Sequence, residues 1–269
     1  MIHVFTLGEG RSGTRFLARL FARNLPSCTA VHEPLPDLFG ACIEWERTGQ
    51  VERLRRAFSW KQRRIATCRS EVYFESSHAF LKSFADLAVE AWPDLKLVRV
   101  VRDPRQVARS YVHRWEMTDA ARIPFRICRE GEGAPFIRWA LTGREPIFAD
   151  LGFEPTLFQR YVVQWIEVEN RAARFLDRHH KHADCVTLHV PPDLGDVDRL
   201  RAMFGDLGLE PRSQELVLPT RRNVNLVPTV VTEEDEAAFA QVVRALPPAH
   251  LDIFQHPPYS DYAWSAVLQ

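Results

Sequence analysis

Ile2-His3-Val4-Phe5-Thr6-Leu7-Gly8-Glu9-Gly10-Arg11-Ser12-Gly13-Thr14-Arg15-Phe16-Leu17 is the stretch on which the fold turns. Ile2 to Leu7 is a short β-branched and aromatic run stopped by Gly8, the pattern of a buried strand. Thr14 to Asn24 then carries Phe16, Leu17, Leu20 and Phe21 at helical spacing. The opening unit therefore reads strand, glycine loop, helix. Backbone N–H groups in such a loop, together with the positive end of the helix, form a ready anion site for phosphate or sulfate. A tight turn that only packs helix on strand has a comparable glycine count, so this segment alone leaves both readings open.

The spacing from Gly8 to Gly13 fits the first part of a Walker A loop. Thr14, however, stands where the lysine belongs, and Arg15 where the Mg²⁺-binding Ser or Thr belongs. A metal-dependent kinase or NTPase is thereby disfavoured, and no metal is expected at the site.

Outward from this unit, strands and helices alternate. Pro34 and Pro36 break the chain, a helix-prone stretch runs from about Ala41 to Arg64, and Val72 to Glu75 is a second strand candidate. Phe80 to Ala91 has Leu81, Phe84, Leu87 and Ala88 on one helical face and ends at Trp92-Pro93-Asp94. Lys96 to Val101 is a nearly continuous valine and leucine run, as in a parallel strand covered on both faces. Helices are expected at Arg105 to Met117, Thr156 to about Arg178, Asp196 to Leu207 and Glu233 to Leu246, with a strand at Cys185 to Val190. Residues 118–155, with Gly131, Gly133 and Pro135, read as an irregular lid or acceptor-binding insertion. The alternation implies an α/β fold with a doubly wound parallel sheet flanked by helices, whose ligands sit beyond the carboxyl ends of the strands.

The length of 269 residues and 46% hydrophobic content suit one domain over 1–269. The 35 basic and 35 acidic side chains cancel, so no global field draws the chain to nucleic acid or an anionic membrane. A bound anion must be held by a local arginine cluster. Cys28, Cys42, Cys68, Cys128 and Cys185 are odd in number and never form a CxxC pair, which argues against a disulfide framework or a zinc site. No stretch approaches the roughly 18 apolar residues of a membrane span, and the start lacks the pattern of a signal peptide. With the thiols, this makes the cytoplasm the expected compartment.

Arg102-Asp103-Pro104-Arg105 follows the buried strand, and Ser110 lies eight residues past Arg102, about two helical turns on. Both side chains suit one anion at the strand's end. Alternatively, Arg102 pairs with Asp103 and Ser110 packs in a helix.

Taken together, the two segments resemble the PAPS-dependent sulfotransferase family. In that family an Arg/Lys, Ser/Thr, Gly, Ser/Thr loop after the first strand holds the 5′-phosphosulfate of 3′-phosphoadenosine 5′-phosphosulfate (PAPS). An Arg, Asp/Asn, Pro element followed by Ser holds the 3′-phosphate. Here Arg11-Ser12-Gly13-Thr14-Arg15 matches the first, and Arg102-Asp103-Pro104 with Ser110 the second, at the family's expected separation. His32-Glu33-Pro34-Leu35 and Leu97 to Ser110 look like the carbohydrate 6-O-sulfotransferases and their bacterial relatives. Asp184 to Leu209 looks like the family's later strand and helix, although Val190-Pro191-Pro192-Asp193 replaces the usual Tyr-Glu-Asp.

The resemblance implies a P-loop-type α/β fold and release of adenosine 3′,5′-bisphosphate. It implies that Arg11 neutralises the phosphosulfate bridge and that Arg221 and Arg222 complete the 3′-phosphate site, though adjacent loop arginines are often plain surface charge. The acceptor would be a carbohydrate or another small molecule. Sulfonate transfer needs a base for the acceptor proton and fixed cations for the leaving phosphate. Glu33 sits where carbohydrate and protein-tyrosine members place a catalytic glutamate. His78 resembles, in its distance to Arg102, the catalytic histidine of the small-molecule members. Alternatively, Glu33 is a turn carboxylate paired with a nearby arginine, and His78 is a helix-capping or core hydrogen-bonding histidine, next to Ser76 and Ser77 that suggest an N-cap. Glu33 is preferred as base. Lys82, one turn after His78, either assists the acceptor pocket or is a solvated helix lysine. Two other functions stay open: a Mg²⁺-dependent nucleotide kinase with a degenerate loop, and an inactive nucleotide-binding module of the same fold.

Overall fold

Val4, Phe5, Thr6 and Leu7 are all buried, so the first strand, β1 (Ile2–Leu7), is covered on both faces as a central parallel strand must be. The computed structural model describes residues 1–36, 38, 41, 42, 45, 48–120, 127, 128, 136, 137, 141–220 and 230–268. They form two compact units, residues 1–101 with 174–222, and residues 102–173 with 223–269.

In the first unit β1 leads into α1 (Thr14–Asn24), followed by β2 (Cys28–His32), α2 (Glu52–Ala66) and β3 (Val72–Ser76). A π-helical turn, Phe80–Phe84, continues as α3 (Ala85–Ala91) before β4 (Lys96–Arg102), where the second unit begins. The five-stranded parallel sheet has the order β2-β3-β1-β4-β7, counting the later strand β7 (Cys185–Val190). On one face Leu17, Leu20 and Phe21 of α1 meet Val4, Phe74, Val98 and Leu188, with the Phe21 and Phe74 rings stacked at 3.8 Å. On the other, Phe5 stacks on Phe80 at 5.0 Å and on Trp92 at 5.7 Å. Alternate residues of one strand thus feed two cores, which gives the doubly wound architecture read from the sequence.

The second unit is built on α4 (Pro104–Ala120), the short β5 (Ile127–Cys128) and β6 (Phe136–Ile137), α5 (Pro146–Asp150) and the first part of α6 (Leu157–Arg178). After α7 (Val197–Asp206) of the first unit, α8 (Glu233–Ala245) returns to it. A capping box joins Thr232 and Asp235 at the start of α8, and Arg109 grips Asp235 from α4. Tyr111 stacks on Tyr161 at 4.4 Å.

Three sequence expectations are corrected. Val72 is in the third strand, because Cys28–His32 forms a strand that half-buried, weakly patterned residues concealed. The helix expected from Phe80 opens as a π-turn, with only Ala85–Ala91 α-helical. Of residues 118–155, expected to be irregular, the described part includes the end of α4, the antiparallel pair β5–β6 and α5; the remainder lies outside the described residues. Among the described residues, no helix is long and apolar enough to cross a membrane.

Candidate active site

Strands that run parallel deliver their carboxyl ends to one edge of a sheet, and there β1 opens into the glycine loop. Gly8 has φ +129°, and a Cβ there would sit 2.6 Å from the Val100 carbonyl oxygen. Gly13 has φ +90° and would place a Cβ 2.7 Å from Leu194 Cδ1. Both positions therefore demand glycine. Arg11, at φ 67°, holds a left-handed conformation unusual for a side-chain-bearing residue.

Gly13 is also the N-cap of α1, and no side chain caps that helix end. Ser12 is fully buried, and its hydroxyl has no hydrogen-bond partner among the described residues. Thr14 is buried and Arg15 exposed at the start of the helix. An uncapped helix N-terminus with an unpartnered buried hydroxyl beside it suits an incoming anion.

The ends of β2 and β3 supply the second feature. His32 pairs in register with Ser76, and its Nδ1 lies 3.0 Å from both the Ser76 carbonyl and hydroxyl oxygens. Glu33, left-handed at φ 49°, donates its backbone N–H to the Ser76 carbonyl at 3.1 Å. This pairing sets the Glu33 carboxylate against His78, two residues past β3, with Oε1 3.2 Å from His78 Nε2. His32 Nε2 lies 3.7 Å from the same oxygen. The rival bases of the sequence reading are thus in direct contact.

Behind them runs a buried ion pair. Lys82 Nζ lies 3.3 Å from His78 Nδ1 and 2.7 Å from Glu9 Oε1. Glu9, within the glycine loop, also accepts the Gly10 N–H at 2.7 Å, and its Oε1 is 3.8 Å from His78 Nδ1. A contact chain therefore links the anion loop to Glu33 through Glu9, Lys82 and His78. Side-chain exposure is 26% for Glu33 but 5% for His78, so the glutamate is the member that faces outward.

Burial pushes the Glu33 carboxyl up, but the hydrogen bond from His78 and electrostatic interaction with His78, His32 and Arg15 outweigh it and hold the pKa at about 2. Burial lowers the His32 pKa, with Glu33 pulling the other way and Arg15 adding to the depression. The N-cap suggested by the serines does not form: Ala79 is the N-cap residue of the π-turn, without a side-chain cap, and the Ser77 hydroxyl accepts the Ala79 N–H at 3.2 Å in a local turn. Lys82 is buried in the cluster, so the solvated-lysine alternative is corrected.

In the second unit Arg102, at the end of β4, donates from Nε and Nη2 to Gln106 Oε1 at 3.3 and 3.2 Å. Burial lowers its pKa against the raising effect of Asp103. Asp103 itself is held by Arg105 at 3.0 and 2.8 Å, and Arg105 continues to Glu236 at 3.1 and 2.9 Å. Ser110 is buried in α4. Arg221 and Arg222 lie outside the described residues. In the first unit, Asp193 of Val190-Pro191-Pro192-Asp193 accepts the His189 N–H at 2.8 Å.

Sequence reasoning missed Glu9. The signal was available, since a carboxylate between two glycines of an anion loop would repel the anion unless a cation neutralised it. That cation, Lys82, lies 73 residues on.

Neither the family models nor the curated proteins contain a match to this chain. Among solved structures, a sulfotransferase from Alicyclobacillus acidocaldarius is similar with a TM-score of 0.52 and 20% identity, over 91% of this chain and 94% of that one. Mouse sulfotransferase SULT7A1 complexed with PAP has a TM-score of 0.48 at 14% identity, over 97% of this chain and 89% of its own. The sulfotransferase domain of the curacin biosynthetic pathway has 0.43 at 13%, over 91% and 98%. The first of these likenesses shows the fold, and it is the P-loop-type α/β fold.

Proposed function

We propose that this chain is a sulfotransferase, acting as one functional unit over residues 1–269 and moving a sulfonate group from PAPS to a hydroxyl of a carbohydrate or other small molecule. The observation that carries this reading is the contact chain from the glycine loop to the Glu33–His78 pair, which joins an anion site to an acid–base site in one unit. Four free cysteines among the described residues suit a reducing, cytoplasmic setting.

The residues fit the donor. The phosphosulfate is an anion, and the loop offers it the uncapped end of α1, the unpartnered Ser12 hydroxyl and the guanidinium of Arg11. Ser12, Gly13, Thr14 and Arg15 hold the 5′-phosphosulfate, while Arg102 and Ser110, with Arg221 and Arg222, are assigned to the 3′-phosphate. The donor supplies the sulfur electrophile and a phosphate leaving group. Glu33 takes the acceptor proton as the acceptor oxygen forms its bond to sulfur. The bond from sulfur to the 5′-phosphate breaks with its electron pair, so the products are the sulfate ester, a protonated Glu33 and adenosine 3′,5′-bisphosphate. Arg11 balances charge growing on that phosphate, where a preset cation is most effective.

The test is thermal stability with adenosine 3′,5′-bisphosphate in EDTA, compared with ATP plus Mg²⁺. At ~100 times the dissociation constant the bisphosphate should stabilise by about 2.7 kcal/mol without metal. A shift seen only with ATP and Mg²⁺ overturns the proposal in favour of a kinase, and bisphosphate binding without transfer to any acceptor marks a binding module. Arg102→Ala should chiefly weaken nucleotide binding, since a 3′-phosphate contact persists through the reaction, whereas Arg11→Ala should chiefly lower kcat. Equal, purely affinity-based losses would contradict the two roles.

A further inference from the structure

We infer that Glu9 and Lys82 are positioning residues that hold His78 as the neutral, Nε2-protonated tautomer, so that the histidine donates to Glu33 and the glutamate is the proton acceptor. The role of that acceptor rests on the sulfotransferase reading; the tautomer does not.

Donor chemistry decides which ring nitrogen carries the proton. A lysine ammonium has three N–H donors and no acceptor, while a neutral imidazole has one donor and one acceptor nitrogen. The Lys82 side chain is 1% exposed, and its charge is balanced at 2.7 Å by a Glu9 side chain with no exposure at all. A buried lysine keeps its proton when a carboxylate sits this close. Nζ at 3.3 Å from Nδ1 is therefore an attractive contact only if Nδ1 presents its lone pair. Glu9 Oε1, the carboxylate oxygen near Nδ1, is farther away at 3.8 Å and already accepts from Lys82 and from Gly10.

With Nδ1 accepting, the ring proton is on Nε2, which points at Glu33 Oε1 from 3.2 Å. His78 then has neither nitrogen available for an acceptor proton. Its N–H fixes one Glu33 oxygen, and both histidine contacts of Glu33 fall on that same Oε1, which leaves Oε2 for the acceptor hydroxyl. The charged or titratable groups facing the pair are Glu9 and Lys82 on the buried side, and His32 and Arg15 on the Glu33 side. The arrangement gives each member of the chain a distinct task. Glu9 keeps Lys82 charged, Lys82 fixes the ring, and the ring aims the carboxylate.

The decisive measurement is a long-range ¹H–¹⁵N correlation spectrum of the histidine rings in the full chain at pH 7, with His78→Asn to assign the signal. Wild type should show His78 neutral and protonated on Nε2 at pH 7. In Lys82→Met the Nδ1 partner is gone and Glu9 remains 3.8 Å from that nitrogen, so the Nδ1–H tautomer should appear in the spectrum. Its turnover should fall roughly 10–100-fold, the usual size when a group that orients a reactive ligand is removed. Lys82→Arg, also a donor-only cation that still neutralises Glu9, should retain most activity and bisphosphate affinity near wild type. If Lys82→Met does not fold, Glu9→Gln/Lys82→Met removes both buried charges together, and its His78 should no longer be held in the Nε2–H tautomer alone. An imidazolium or an Nδ1–H ring in the wild-type spectrum at pH 7 overturns the inference. A wild-type protein with the expected spectrum that neither binds the bisphosphate nor transfers sulfonate refutes the sulfotransferase reading and leaves the tautomer assignment standing.

Discussion

Two buried lysine–glutamate pairs flank the same sheet, and they end differently. Lys61 of α2 donates to both oxygens of Glu75 on β3, each at 2.8 Å, and the Tyr73 hydroxyl donates to Oε2 at 2.8 Å. Among the described residues, the hydrogen bonds of that cluster close on themselves. Lys82 and Glu9 are just as deeply buried, but their contacts lead on through His78 to Glu33, which is a quarter exposed. Burial of charge is thus no sign of function, because both pairs have it. Connection of the buried charge to a group that can meet a substrate is what separates them.

The sharpest way to break this contrast is to disable one member of each cluster. Glu33→Gln should lower turnover by roughly 10²–10⁴ while nucleotide affinity changes little, and His78→Asn should be milder. Lys61→Met should do the reverse. It leaves Glu75 buried without its cation, which should cost about 3–5 kcal/mol in urea denaturation with kcat unchanged in the folded fraction. A near-normal Glu33→Gln enzyme would remove the functional half of the comparison, and a catalytic defect in a stably folded Lys61→Met would remove the structural half.

The sequence made the local parts of this contrast legible and hid the long-range ones. The β1–loop–α1 unit and the Lys96 strand were readable because a continuous apolar run and a 3.6-residue repeat are local signals. The β2 strand was not, since Cys28, Thr29, Ala30, Val31 and His32 are all only half-buried and show no alternation. Without β2, the register of His32 with Ser76 cannot be drawn, and Glu33 and His78 look like competitors instead of partners. Glu9 and Lys82 were hidden by the same distance along the chain. A lysine at helical spacing reads as solvated until its partner is placed.

Acid should weaken the fold, and the sign follows from the depressed groups. Burial beside the N-terminus holds His3, stacked on Trp92 at 4.6 Å, at a pKa of about 4, and burial depresses His32 as well. Glu33 lies at about 2, and Asp184 and Asp235 are lowered by their lysine and arginine partners against the raising effect of burial. For each, the unfolded chain binds protons first, so stability present above the unfolded pKa is lost as pH falls through the folded one. Denaturation midpoints should drop between about pH 6.5 and 4 from the histidines, and further between about 4.5 and 2 from Glu33. His3→Phe should flatten the upper part of this fall without touching turnover, whereas Glu33→Gln should flatten the lower part. A midpoint that rises on acidification would show that these shifts are absent.

The smallest effect separates a hydroxyl kept for a ligand from one that is merely buried. Thr6 on β1 and Ser12 in the loop both carry buried hydroxyls with no partner among the described residues. An unmade hydrogen bond at such a site is destabilising, so removing either hydroxyl should raise the stability of the ligand-free protein by about 1 kcal/mol. Thr6→Val keeps the shape and the strand preference and should leave binding of adenosine 3′,5′-bisphosphate as it was. Ser12→Ala should show opposite signs, with a higher melting temperature alone and a weaker response to the sulfonate donor, because the hydroxyl that lacks a protein partner gains one in the phosphosulfate. Identical behaviour of the two variants in donor binding would mean that the Ser12 hydroxyl, like that of Thr6, belongs to the core and not to the site.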